Sequence, residues 1–318
     1  MKWRKLGRLF DPREYKLPNN CLEFAQSPQA LVMSDRVRVY FSTRERDKKG
    51  KFLSHIAFVD FDKEIRRMIG LSDHTIIDLG GLGSFDEHGI FPFNVVRHDG
   101  AVLAYTTGWS RRVSVSVETS IGLAVSHDDG MTFQRHGTGP VMSSSLHEPF
   151  LVADAFVAPF EGVLHMWYIF GTKWQKFEAS SAPDRVYKIA HATSRDGLAW
   201  HRDGKPIIAD RLNADECQAL PSVFYRNGAY HLFFCYRQAH GFRSDRHSAY
   251  RIGYARSGNL QEWIRDDSNA GIDVSGEGWD SQMQCYPNTF EVDGTVYMLY
   301  NGNEFGRFGF GLGVLEDM

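Results

Sequence analysis

The sequence predicts an all-β protein, a five-bladed β-propeller with four-stranded blades, on three observations. Aromatic residues make up 14% of the 318 positions (23 Phe, 13 Tyr, 7 Trp) and 30 glycines punctuate them, a composition that favours strands and turns over helical bundles. A phrase of four short strands recurs five times, as repeat architectures do. The amino-terminal segment has the look of the one strand that the last repeat lacks.

Each repeat opens on a proline followed by an apolar run: Ser27-Pro28, Phe91-Pro92, Glu148-Pro149, Leu220-Pro221 and Tyr286-Pro287, at intervals of 64, 57, 72 and 66 residues. A second strand rich in aromatics follows, as in Val39–Thr43, Leu103–Thr107, His165–Ile169, His231–Tyr236 and Val296–Tyr300. Polar turns such as Asn227-Gly228 and Asp293-Gly294 separate the two, as hairpins require. The third strand reads Ile121–Ser126, Ile189–Ser194, Ile252–Ser257 and Phe310–Val314, and a turn then leads to an aromatic that opens the fourth, Phe133, Trp200 or Trp263. A β-sandwich is the alternative, but sandwich strands need not recur in a four-strand phrase.

The fifth repeat ends after three strands, while Trp3–Phe10 resembles the fourth-strand phrases beginning at Trp200 and Phe133. Residues 3–10 are therefore expected to complete blade five, which closes the ring and removes two exposed edges. One domain over 1–318 follows, because cutting a ring leaves unpaired blades.

Lys+Arg 36 against Asp+Glu 39 gives a net charge of −3, so no basic surplus is present to neutralise a nucleic-acid backbone. No run of ~18 apolar residues spans a membrane and no signal-peptide core precedes Phe10. Cys21, Cys217, Cys235 and Cys285 lie far apart, a pattern of buried thiols in a reducing cytoplasm. A cytoplasmic address is expected on these grounds. No metal-ligand spacing, P-loop, dinucleotide fingerprint or nucleophile elbow is present, so no metal or cofactor is expected.

In a propeller the segments leading into the inner strands converge at one mouth, and here they are rich in polar groups. Blade one offers Glu23 and Gln26; blade two offers Asp86, Glu87 and His88; blade three offers His147 and Glu148. Blade four offers Asp215, Glu216 and Gln218, and blade five offers Asp280, Gln282, Gln284 and Tyr286. Carboxylates gathered on one axis repel one another and raise some pKa values, which suits general acid–base work near neutrality. Capping of turns or pairing with arginine is the alternative for any one of them. Trp109, Trp174 and Trp279 offer apolar faces for a sugar ring, whereas Trp200 and Trp263 occupy repeated positions that suit packing between blades. Arg44, Arg46, Arg111, Arg112, Arg237, Arg243 and Arg251 form a basic set able to clamp a carboxylate or phosphate.

With these residues in view, the chain resembles the five-bladed β-propeller glycoside hydrolase superfamily of arabinanases, β-xylosidases, invertases and levansucrases, with the related β-mannoside phosphorylases. In that superfamily an Asp-Pro in blade one supplies the base or nucleophile, an Asp-Pro in blade three tunes the pKa, and a Glu leading into blade four is the acid. The resemblance thus implies Glu216 as general acid and Glu148 or Glu87 as base or pKa modulator. Blade one reads Ser27-Pro28, and serine cannot replace the carboxylate. Three routes stay open: Glu23 or Glu87 serves as base; phosphate or another anion held by arginines is the nucleophile; or the propeller binds carbohydrate without cleaving it. The expected partner is a carbohydrate, with phosphate or an acidic sugar as a second candidate.

Overall fold

The computed structural model describes residues 1–177 and 182–317, and these are almost entirely strand and turn. β1 (Lys2–Phe10) comes first. A first antiparallel unit follows, β2 (Glu23–Val32), β3 (Arg36–Arg46), β4 (Phe52–Asp62) and β5 (Met68–Leu71). The second is β6 (Gly89–His98), β7 (Ala101–Arg111), β8 (Val117–Ser126) and β9 (Gln134–Arg135); the third is β10 (Val152–Phe160), β11 (Val163–Gln175), β12 (Asp184–Ser194) and β13 (His201–Arg202). The fourth comprises β14 (Cys217–Arg226), β15 (Ala229–Arg237), β16 (Arg251–Ser257) and β17 (Ile264–Arg265). Last come β18 (Cys285–Val292), β19 (Thr295–Asn301) and β20 (Phe310–Asp317), and β1 pairs antiparallel with β20 to give the order β18-β19-β20-β1. A single parallel bridge, Ser54 to Gly89, links β4 to β6, so the first two units run on as one sheet.

The opening strands touch in sequence: β2 packs on β6, β6 on β10, β10 on β14, β14 on β18, and β18 on β2. Buried apolar clusters fill the spaces between neighbouring units. Tyr40, Phe93 and Phe133 pack between the first and second, and Phe10, Phe41 and Leu299 between the fifth and first. Side-chain amides stitch the opening strands together: Asn94 and Asn288 both donate to Gln29 Oε1, at 2.9 and 3.2 Å. Such buried polar groups are tolerated because each finds a partner.

The turns before the fourth strands share a local cause. Ser126 and Ser194 donate to Asp128 and Asp196 two residues on, at 2.7 and 2.9 Å, and Ser257 repeats the contact with Asn259 at 3.2 Å, so short polar side chains close the turn on themselves. A tyrosine from the preceding unit seals the first two of these turns, Tyr40 donating to the Gly130 carbonyl at 2.6 Å and Tyr105 to that of Gly197 at 3.0 Å. Trp200 and Trp263 pack in the apolar clusters, as their repeated position suggested.

Every opening strand carries a bulge of two residues: Ser27-Pro28, Phe91-Pro92, Asp154-Ala155, Leu220-Pro221 and Tyr286-Pro287. The register of the third unit therefore lies at Asp154-Ala155, and Pro149 falls outside it in an exposed loop. Proline suits the second bulge position because it needs no ladder hydrogen bond there, and Ala155 fills it without one. The interval across the five units becomes 64, 63, 66 and 66 residues, more regular than the proline spacing alone.

Candidate active site

The carboxylates leading into the second to fifth units share one arrangement, and it is a clamp. Asp86 accepts from Arg135 at 2.6 and 2.8 Å, Glu148 pairs with Arg202 at 2.6 Å, Glu216 with Arg265 at 2.5 Å, and Asp280 with Lys5 at 2.8 Å. All four acids are at most 2% exposed. Each cation comes from the outermost strand of the same unit: β9, β13, β17 and β1. A buried carboxylate is costly unless a cation and hydrogen bonds answer its charge, and here the fourth strand supplies the cation. Tyr168 also donates to Glu148, and Tyr300 to Asp280 at 3.3 Å. Burial pushes the Glu216 carboxyl up, but Arg265, Gln218 and the Leu212 amide outweigh it and hold the group below its ordinary value. A carboxyl locked in the ionised form has no proton to give near neutrality, the opposite of what the acid role requires.

Most other residues of the lead-in segments are likewise engaged elsewhere. Glu87 accepts from the Gly83 amide at 3.0 Å, and Glu23 pairs with Arg307 at 2.7 Å. Asp215 pairs with Lys173 at 2.7 Å; His147 and Gln282 are exposed. Arg251 donates to the carbonyls of Tyr250, Gln282 and Arg246. His88 stacks on Trp109 at 5.8 Å, Trp174 stands 5.8 Å from the Arg185 guanidinium, and Trp279 stacks on Tyr300 at 5.3 Å.

The cavity at the bulges is built from a different set. It holds about 500 Å³ and is lined by residues from all five units. Among the residues anticipated from sequence, Gln26, Arg44, Trp109, Arg237, Arg243 and Tyr286 line it. Tyr286 and Phe91 are bulge residues and pack edge to face at 5.4 Å, and Tyr250 packs on Tyr286 at 5.7 Å. Trp109 is fixed by its indole N–H, which donates to Ser54 at 3.0 Å. These rings make an apolar wall with polar edges, a surface that suits the C–H face of a sugar.

Asp154 is the one carboxylate lining this cavity among the described residues. It occupies the first bulge position of the third unit at φ 56°, and its amide donates to Thr107 at 2.8 Å. Burial pushes its carboxyl up to about 7 against the opposing pull of Arg185 and the Leu220 amide. Four arginines share the lining: Arg44, Arg185, Arg237 and Arg243. Arg44 donates to Gln26 and burial brings its guanidinium down to about 10; Arg243 meets Asp184 at 3.4 Å. The proline register had hidden Asp154, because it directed attention to Glu148-Pro149; the even spacing of the bulges is the signal that finds it. No cluster of three or more His, Cys, Asp or Glu able to hold a metal ion occurs among the described residues.

No protein-family model matches the sequence. Over 323 residues it is 32% identical to the uncharacterized protein Rv1502 of Mycobacterium tuberculosis H37Rv, and equally to MT1551 of strain CDC 1551, with 100% of each chain covered. The chain belongs to this family. Among solved structures it is similar to a glycoside hydrolase at TM-score 0.72 and 15% identity, covering 99% of this chain and 93% of that one. The β-1,2-mannobiose phosphorylase of Listeria innocua matches at 0.67 and 11%, covering 98% and 96%, and the endo-arabinase of Bacteroides thetaiotaomicron at 0.64 and 11%, covering 98% of both. The family thus shares the fold of the glycoside hydrolases that the sequence resembled. None of its described helices is long and apolar enough to cross a membrane.

Proposed function

We propose that the five units form one closed five-bladed propeller over residues 1–318, and that its cavity cleaves a glycosidic bond with Asp154 as proton donor and a bound anion as nucleophile. The cyclic contact of the opening strands and the apolar clusters between successive units support the ring. The observation that carries the chemistry is Asp154, a lone carboxyl whose pKa of about 7 leaves it substantially protonated at neutral pH inside a saccharide-sized cavity.

Hydrolysis by the ordinary two-carboxylate route needs a second acid facing the first across the bond. Blade one, where the related hydrolases carry it, presents Ser27 and, in the cavity wall, Arg44 held by Gln26. A cation there suits an incoming phosphate better than a water needing a base. The Asp154 proton passes to the bridging oxygen as its bond to the anomeric carbon breaks, and the electron pair leaves with the departing sugar. A phosphate oxygen forms the new bond to that carbon from the opposite face, giving a sugar 1-phosphate and a shortened acceptor. Solvent then reprotonates Asp154.

The test is product analysis after incubation of the protein with an oligosaccharide panel, with and without inorganic phosphate. A sugar phosphate that accumulates only when phosphate is supplied supports the proposal. Equal release of free sugar without phosphate overturns the anion route. Binding with no product under either condition favours the non-catalytic reading, for which the missing blade-one carboxylate speaks.

A further inference from the structure

The cavity holds more positive charge than one nucleophile accounts for, and that charge lies in two places. Arg44 stands on the blade-one side, its guanidinium 5.6 Å from the centre of the Phe91 ring. Arg237 stands on the blade-four side, 5.4 Å from the Tyr250 ring. Between them runs the aromatic wall of Phe91, Tyr286 and Tyr250. Arg185 shares the Tyr187 ring with Arg237, at 6.0 and 5.3 Å, and Arg243 shares the Phe242 ring with it, at 4.1 and 3.5 Å, so both belong to the second group.

Arg237 has no carboxylate partner among the described residues. It is 3% exposed, sets its guanidinium carbon over the Phe242 ring at 3.5 Å, and donates to the Gln238 and Ala239 carbonyls and to the Tyr187 hydroxyl at 2.7, 3.3 and 2.9 Å. Its Nε has no partner. Burial raises the pKa values of Tyr187, Tyr250 and Cys217 beside it, so these groups stay neutral and none supplies the missing negative charge. Among the described residues the Arg185 side chain has a 3.5 Å contact to Ser116 and the faces of Trp174 and Tyr187 at 5.8 and 6.0 Å, with no ion pair. Of the three arginines, Arg243 already meets Asp184 at 3.4 Å, and the charge of Asp154, on which Arg185 acts, is weakened by burial. A guanidinium kept in an apolar enclosure without a counter-charge is expensive, and the cost is recovered when a ligand brings one.

We infer that the substrate is an anionic saccharide, its carboxylate or phosphate monoester held by Arg185, Arg237 and Arg243, apart from the nucleophile at Arg44. The inference rests on the cavity being the saccharide site proposed above. The planar fork of arginine matches either anion in a two-point contact.

Calorimetry in phosphate-free buffer tests it with matched pairs: hexuronate-containing oligosaccharides against their carboxyl-reduced counterparts, and phosphorylated oligosaccharides before and after phosphatase treatment. The expected result is at least ~10-fold tighter binding of the anionic member of one pair, the scale of a charge-assisted two-point contact. The responding pair identifies the anion. In Arg185→Gln, a change at a half-exposed position, that ratio should fall below ~3-fold; Arg237→Lys, which keeps the charge but not the fork, should reduce it as well. Ratios within ~2-fold in wild type, or a preference untouched by both variants, overturn the inference. Anion-preferring binding in Asp154→Asn with no bond cleavage by wild type sinks the catalytic reading and leaves this one standing. Cleavage of neutral glycosides without preference does the reverse.

Discussion

Replacing Glu216 with glutamine separates a clamp from a catalyst. The side chain is fully buried; Oε1 faces Arg265 at 2.5 Å and Gln218 at 3.0 Å, and Oε2 accepts from the Arg211 and Leu212 amides at 3.0 and 2.9 Å. Glutamine preserves the shape and removes the charge. Breaking a buried pair by deleting one partner costs about 3–5 kcal/mol, and Arg265 keeps Asp267 at 2.9 Å, so we expect a loss of about 2–3 kcal/mol. In a chain of this size that lowers Tm by roughly 3–5 °C. The carboxyl sits below its unfolded value, so its stabilisation is present above the unfolded pKa and is lost as pH falls through the folded one. Thermal and urea scans of wild type and variant should therefore differ at pH 7 and converge in acid. Turnover per folded molecule should stay within about threefold. A fall of ~10²-fold or more with an unmoved midpoint would refute the clamp and restore Glu216 to the chemistry.

Further expectations concern the cavity and the last unit. The rate should fall as pH rises above about 7, where Asp154 gives up its proton, and Asp154→Asn should remove both that limb and ~10²-fold or more of the turnover, read from a pH–rate profile. Because burial raises this carboxyl, the folded state holds its proton longer than the unfolded chain, so wild type loses stability between about pH 4 and 7 in a way the Asn variant does not. Gly89→Ala would set a Cβ 2.4 Å from the Trp109 indole nitrogen and 2.6 Å from Ser54 Cβ, at a φ of 157°; weaker saccharide binding by calorimetry is expected even where the fold survives. Lys5→Met should destabilise the protein by about 2–3 kcal/mol by leaving Asp280 buried without its cation, measured by urea unfolding.

The strand phrase, the polar turns and the pairing of the amino-terminal strand with the last unit were legible because each rests on a phrase that recurs along the chain: proline-led apolar runs, Asn-Gly and Asp-Gly turns, and the aromatic that opens a fourth strand. The lead-in carboxylates were legible as a set, but their meaning was not. Asp86 and Glu216 each find their arginine 49 residues later, on strands of two residues, and Asp280 finds Lys5 at a separation of 275, so partners and charges are joined only by the fold. Proline marked four of the five bulges and misled at the other. What the third unit needs there is a backbone shape, φ 56° at Asp154, which Pro149 does not report. Arg185 and Tyr187 gave no signal, since an outward residue at the start of a strand reads as an ordinary solvated side chain.

The joining of β1 to β20 also sets the order of assembly during synthesis. Arg4 and Glu316 meet across that seam, 312 residues apart, so β1 has no place to dock until β20 has emerged. At ribosomal speed the wait is roughly 15–60 s. Through that interval β1 is a loose ribbon near a growing chain, and its alternating Lys2, Arg4 and Arg8 give it the charge that keeps such a ribbon from sticking to its neighbours.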